Sequence, residues 1–226
     1  MTKPRFNVQN LIKGCEQLGI VINAHQQMSL LTHIELLAKW NTRLNLTAIE
    51  SNDDMISHHI LDSLAIHHYV IGSTLLDIGS GGGFPGLPLA IVRPQWQVTL
   101  LDSRGKRVEF LRNCISNLAL KNVSLVKSRI EKYQPPGKFD TLTARAFSSL
   151  PELVRLSQAN ISQGTRLLAL KGRFPAKEIE SLAGELPESL KQMRLRLTVE
   201  KLEVPFLEAQ RHLIIIDFYT SDFDLR

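Results

Sequence analysis

The chain has 226 residues, 43% hydrophobic and 22% charged, which fits a globular protein made of one large domain or one domain with a small extension. Its two cysteines, Cys15 and Cys114, have no paired spacing, so a disulfide framework and a zinc module are excluded and a reducing cytosol is expected. No apolar run reaches the ~20 residues of a membrane span, the opening MTKPRFNVQNLIKG lacks the apolar core of a signal peptide, and the net charge of +5 admits a polyanionic partner without requiring one.

The first seventy residues read as helical. Val8, Leu11, Ile12, Cys15 and Leu18 recur at helical steps, and Gly19 offers a stop. A second helix fits from about Gln26 to Asn41, with Leu30, Ile34 and Leu37 on one face. Asn45–Ser51 reads as a connection. Asn52 or Asp53 can cap a third helix carrying Ile56, Ile60, Leu61 and Leu64 as its apolar stripe.

The pattern changes at Gly72. Strands are predicted at Thr74–Ile78, Gln97–Leu101, Val123–Val126, Phe139–Thr143, Arg166–Leu170, around Leu195–Leu202, and at His212–Tyr219. Helices are predicted at Leu87–Val92, Gly105–Leu118, Pro151–Ile161 and Pro175–Leu182. Alternating strands and helices predict an α/β fold with a mainly parallel, seven-stranded sheet and right-handed crossovers. The last two strands lack a helix between them and read as a hairpin, which adds an antiparallel strand at the sheet edge. The predicted division is a helical cap over 1–70 and a Rossmann-like domain over 71–226.

The glycine-rich segment Asp77-Ile78-Gly79-Ser80-Gly81-Gly82-Gly83-Phe84 joins a predicted strand to a predicted helix. Glycine there permits a tight turn and close approach of backbone to ligand. Such a turn alone also suits nicotinamide and flavin cofactors. Two acids shift the balance. Asp77, at the strand end, would sit poorly against a pyrophosphate; it can act through water on a cationic amino-acid group, or hold the loop through backbone N–H bonds. Asp102, at the tip of the second strand, can accept both hydroxyls of a ribose, or cap the next helix. Together they describe a pocket for a ribonucleoside with a cationic amino-acid tail, which is S-adenosylmethionine.

Basic residues cluster in two windows. Arg104, Lys106, Arg107 and Arg112 share a nine-residue stretch with one acid, Glu109; Arg166, Lys171, Arg173 and Lys177 share twelve residues with none. Charge alone fits a solvated helix face as well as a phosphate-binding surface.

The run DIGSGGGFPGLPLAIVRP followed by LLDSRGKRVEFL closely resembles the bacterial small-subunit ribosomal RNA methyltransferase G family. The segments Trp40–Ile49, His58–Leu64, Ala144–Phe147, Leu170–Gly172 and Arg211–Ile216 extend the resemblance over nearly the whole chain. It implies a class I methyltransferase fold, and methyl transfer from S-adenosylmethionine to N7 of guanine 527 in 16S ribosomal RNA. It also implies cofactor contacts at Gly79, Phe84, Ile130, Glu131 and Arg145, beside Asp77, Gly81 and Asp102. Family members often carry a small residue where this chain has Ile130; backbone contacts to the adenine survive that change.

Guanine N7 is a lone pair without a proton, and the cofactor supplies an activated methyl group, so positioning and charge management are expected rather than a general base. Arg145 and Lys171, near the carboxyl ends of two strands, are the candidate catalytic cations, with a phosphate contact or a surface charge as the plainer reading of each. Arg104, Lys106, Arg107, Lys171 and Arg173 are the candidate RNA contacts. The chain lacks an Asn-Pro-Pro-Tyr tetrapeptide for an exocyclic amine, and Cys114 falls in an apolar helical stripe. Phe84, Phe147 and Trp40 suit core or cofactor packing better than base stacking. His58, His59, His67 and His68 form two doublets without the convergence a metal needs, so no metal is expected; His59 and Asp62 are read as ties between the N-terminal helices and the pocket rim. The expected partner is 16S ribosomal RNA or the small subunit, without a membrane, and a monomer suffices. The competing readings are a methyltransferase for protein or small molecules, a nicotinamide oxidoreductase, and a non-catalytic RNA-binding module.

Overall fold

A computed structural model of the chain describes residues 7–182 and 184–219; the first six residues, part of the signal-peptide reading, lie outside them. Helix α1 (Val8–Gln17) begins where the Asn7 side chain accepts the Asn10 N–H. Helix α2 (Ala24–Leu44) begins with a reciprocal cap: Asn23 Oδ1 accepts the Gln26 N–H at 2.9 Å, and Gln26 Oε1 accepts the Asn23 N–H at 3.0 Å. It ends at Leu44, three residues beyond the predicted Asn41, with Asn45 as its cap in the left-handed conformation.

The third predicted helix is a composite: α3 (Asn52–Met55), a π turn over Ile56–Leu61, and α4 (Asp62–Leu64). Its cap is Ser51 rather than Asn52 or Asp53. The Asp53 carboxylate accepts the Asn7 N–H at 2.8 Å instead, linking the starts of two helices. Within the π turn the Asp62 N–H reaches back five residues to the Ser57 carbonyl, a widened turn of the kind that favours functional sites.

The sheet contains β1 (Thr74–Ile78), β2 (Gln97–Asp102), β3 (Val123–Lys127), β4 (Thr141–Arg145), β5 (Arg166–Lys171), β6 (Arg194–Leu202) and β7 (Arg211–Tyr219), in the order β3-β2-β1-β4-β5-β7-β6. The first five strands are parallel. The β6–β7 hairpin closes one edge, with β7 antiparallel to β5 and β6 outermost. β4 begins two residues after the predicted Phe139. The reason is Asp140, whose carboxylate accepts the N–H groups of Ser73 and Thr74 and the Thr74 hydroxyl, and so latches the start of β1. Arg145 and Lys171 are therefore the last residues of β4 and β5, not residues beyond them.

Helices α5 (Gly86–Val92) and α6 (Gly105–Asn117) cover one face; α7 (Leu150–Ser157) and α8 (Ala176–Leu182) serve the other. The N-terminal helices share a core with the first face. Leu11, Leu30, Leu37 and Ile60 belong to the same buried cluster as Leu100 and Leu213. Each such leucine or isoleucine contributes roughly 1.5–3 kcal/mol on burial, so the helices are part of the fold's stability and no separate core divides them from the sheet. Strand order reverses between β1 and β4, which opens a crevice at their carboxyl ends.

Candidate active site

A cavity of about 690 Å³ occupies that crevice. Gly79, Asp102, Ile130, Glu131, Ala146 and Phe147 line it, with Arg104 and Arg107 on the same wall. Gly79 follows β1 directly with φ +70°, and a Cβ built on it would meet the Phe147 ring at 3.0 Å. Only glycine combines that backbone with that clearance. Ala146, the first residue after β4, is also left-handed (φ +50°), an unfavourable conformation for a residue with a Cβ.

Asp102 ends β2 at the cavity wall, 3% exposed. Oδ2 accepts the Gly81 N–H at 3.0 Å, Oδ1 accepts the Arg104 N–H at 2.8 Å, and Arg107 Nη1 stands 3.6 Å away. The carboxylate thus joins the glycine turn to the start of α6. Each oxygen still keeps a second lone pair for a ligand hydroxyl.

Asp77 lies outside the lining. It is fully buried under the turn, where its carboxylate accepts the Gly86 N–H at 3.1 Å and the Thr143 hydroxyl at 3.3 Å. Of its two roles open in the sequence, this geometry supplies the loop-holding one. Burial pushes its carboxyl up to about 6, against the Ser80, Gly86 and Thr143 hydrogen bonds and the nearby Arg145 charge. Gly86 has no room for a side chain, since a Cβ there would meet Leu100 and Asp77.

Phe84 is also outside the lining, 4% exposed, and its ring is sandwiched between His33 at 4.6 Å and His59 at 4.8 Å. The Arg145 guanidinium carbon stands 5.0 Å from the same ring. Arg145 Nη1 donates to the His58 carbonyl and to Asp62 Oδ2, both at 3.0 Å; Nη2 donates to His59 Nδ1 at 3.3 Å. That bond and the 2.8 Å contact from His59 Nε2 to Thr47 Oγ1 assign a neutral imidazole with its proton on Nε2. Burial lowers His59 to about 3 and His33 to about 4, with the Arg145 charge pushing the same way. Asp62 also accepts from Arg211 Nε at 2.8 Å. Two of the five guanidinium hydrogens of Arg145, on Nε and Nη2, have no partner among the described residues, and Arg145, expected to touch the cofactor, lies outside the cavity lining, turned toward the N-terminal segment.

Lys171 Nζ donates to the Ser148 carbonyl at 3.0 Å and to Glu178 at 2.8 Å, so this cation holds the loop after β4 and leaves one donor over. Arg104 and Lys106 are exposed at the start of α6, and Arg173 is exposed after β5. Trp40 packs edge-on against Phe110 and joins the core. Among the described residues, no three His, Cys, Asp or Glu side chains are grouped as a metal site, and no helix is long and apolar enough to cross a membrane.

The sequence reading missed His33 and Arg211 as members of this network. His33 lies in a helix with nothing local to mark it. Arg211 stood in a recognised segment, but its partner Asp62 is 149 residues away.

The family model described as rRNA small subunit methyltransferase G matches residues 26–214. A ribosomal RNA small subunit methyltransferase G from Laribacter hongkongensis is 44% identical over 206 residues, 91% of this chain and 96% of the relative. One from Psychromonas ingrahamii is 41% identical over 211 residues, 92% and 97% of the two chains. Among solved structures, a SAM-dependent O-methyltransferase from Thermotoga maritima superposes with a TM-score of 0.50 at 14% identity, covering 72% of this chain and 66% of that one, a likeness of fold. Family model, relatives and architecture agree, and the chain belongs to the rRNA small subunit methyltransferase G family.

Proposed function

We propose that the protein transfers a methyl group from S-adenosylmethionine to N7 of guanine 527 in 16S ribosomal RNA, acting as a monomer in the cytoplasm. Family membership carries the coarser part, methylation of small-subunit ribosomal RNA, and sets the oxidoreductase and binding-module readings aside. The observation that supports the finer part is the cavity between Gly79 and Asp102, lined by Ala146, the residue that follows Arg145 at the tip of β4.

The residues present fit a nucleoside cofactor. Gly79 leaves open the space that a Cβ would fill, the free lone pairs of Asp102 suit ribose hydroxyls, and Ile130 and Glu131 supply an apolar face and backbone groups for the base. Asp77 and Gly81 act from behind by holding the turn, and Phe84 by packing Arg145. The cofactor, when bound, supplies a methyl group already activated on a sulfonium.

Guanine N7 needs no proton removed, and neither cysteine is an activated nucleophile: burial pushes the Cys15 and Cys114 thiols up to about 12. What remains is orientation. Arg145 is rigidly held and retains donors for an acceptor such as guanine O6. Lys171 fixes the Ser148 loop beside the cavity. Arg104, Lys106, Arg107 and Arg173 supply positive charge for phosphates, though Arg107 is partly committed to Asp102.

The test is to incubate the purified protein with methyl-labelled cofactor and total RNA, map the label, and cleave chemically at 7-methylguanosine. Label in the small-subunit RNA that cleaves at guanine 527 is expected. Label at another atom or nucleotide overturns the finer reading; none in that RNA overturns the whole.

A further inference from the structure

We propose that Phe174, braced by His212, is a stacking platform for an unpaired base of the RNA substrate, with Arg173 and Lys177 holding the adjoining phosphates. The inference rests on the RNA reading above and adds a site to it.

Phe174 follows β5 in the loop Gly172-Arg173-Phe174-Pro175, and its large apolar side chain is 54% exposed. An apolar ring held in water has a cost, and here the ring is not left loose. His212, the second residue of β7, packs against it with ring centroids 5.8 Å apart at 70°. His212 Nδ1 is itself 3.1 Å from the Gly172 carbonyl, which fixes the imidazole against the loop. The edge-on contact leaves a face of the phenyl ring free, the arrangement an aromatic needs in order to accept a flat heterocycle.

The charges around the ring favour a nucleic acid. Of the four cations in this window, Arg166 is paired with Asp217 and Lys171 with Glu178. Arg173 and Lys177 are exposed and form no ion pair among the described residues. They flank Phe174 at one and three residues' distance. An aromatic between two free cations matches the alternation of base and phosphate along a single strand. An apolar peptide would gain nothing from those charges.

The location favours the substrate. Phe174 lies at the carboxyl end of the sheet, three residues past the tip of β5, and the register pairs Lys171 with His212 there. Lys171 reaches the Ser148 carbonyl, and Ser148 lines the cavity. The platform is thus joined to the pocket wall by one side chain. A nucleotide beside the target can stack there while the target base enters the crevice.

The test uses the full chain and a fluorescently labelled single-stranded RNA of about a dozen nucleotides containing guanine. Phe174→Ala and Phe174→Leu should weaken RNA binding about tenfold, while Phe174→Trp keeps it. Trp emission at that position should be quenched by RNA, after subtraction of the signal from Trp40 and Trp96. Arg173→Ala should lower the salt dependence of binding by about one phosphate contact. Affinity for S-adenosylhomocysteine should be unchanged in all four, which excludes misfolding. Equal RNA affinity of wild type, Ala and Leu variants, or an unquenched Trp, overturns the platform while wild-type methyl transfer to RNA leaves the function standing. A loss seen on assembled subunits but not on protein-free RNA assigns the ring to ribosomal protein and also overturns it. A wild type that neither binds nor methylates RNA removes both readings.

Discussion

Asp62 Oδ2 accepts a hydrogen bond from Arg145 Nη1 at 3.0 Å across 83 residues of sequence, so a widened helical turn in the N-terminal segment grips the tip of the central strand β4. The second oxygen of the same carboxylate holds Arg211 of β7 at 2.8 Å. One buried acid therefore aligns two strand ends and an N-terminal helix around the crevice.

Asp62→Ala removes both pairs and leaves two arginines, each about one fifth exposed, without their acid. Breaking a buried pair costs about 3–5 kcal/mol; with this partial exposure a loss of about 2–3 kcal/mol is expected. Urea unfolding measures it, and a double-mutant cycle with Arg145→Ala isolates the coupling. An unchanged midpoint would show that the pair carries no net stability.

Asp102→Ala should weaken binding of S-adenosylhomocysteine at least tenfold by calorimetry. It also frees the Gly81 N–H, so the turn loses order. The fold itself should lose only about 1 kcal/mol, because the exposed Arg104 N–H can turn to water. Undiminished affinity would refute a role for this carboxylate in holding the ligand.

Gly79→Ala forces a left-handed backbone on alanine, a cost of roughly 1–2 kcal/mol. It also places a methyl group 3.0 Å from Phe147. Cofactor binding and methyl transfer should both fall sharply. Adding Phe147→Ala restores space but not backbone freedom, so recovery should be partial. Full recovery would mean that clearance alone matters at this turn.

Acid should unfold the protein partly through His33 and His59. Their folded values of about 4 and 3 lie below the ordinary 6.5, so the unfolded chain binds protons first. Stability is flat above about pH 6.5 on their account and is lost as pH falls toward 4, by up to about 1.4 kcal/mol per pH unit for each histidine. Asp77 has the opposite sign: raised to about 6, its contribution is present in acid and lost as pH rises from 3.8 through 6, which offsets part of the slope. Urea midpoints across pH 4–7 measure the balance, and His59→Gln should remove one proton from the slope. Identical slopes in variant and wild type would contradict a buried neutral imidazole.

Local sequence determined much of this. The alternation of apolar runs and helical stripes after Gly72 marked the strands and crossovers, because a buried parallel strand must be apolar throughout and a covering helix must be amphipathic. The glycine turn and Asp102 were visible because backbone conformation and strand-end chemistry are written in adjacent residues. Tertiary structure alone decided the rest. Asp140 shortened the start of β4 by bonding β1, and Asp77 went under the turn instead of into the cavity. The π turn brought His59 and Asp62 to Arg145, and Arg211 arrived from the far end of the chain. Such pairings depend on which surfaces the packed core brings together, and a contact across 83 or 149 residues leaves no periodicity in the sequence.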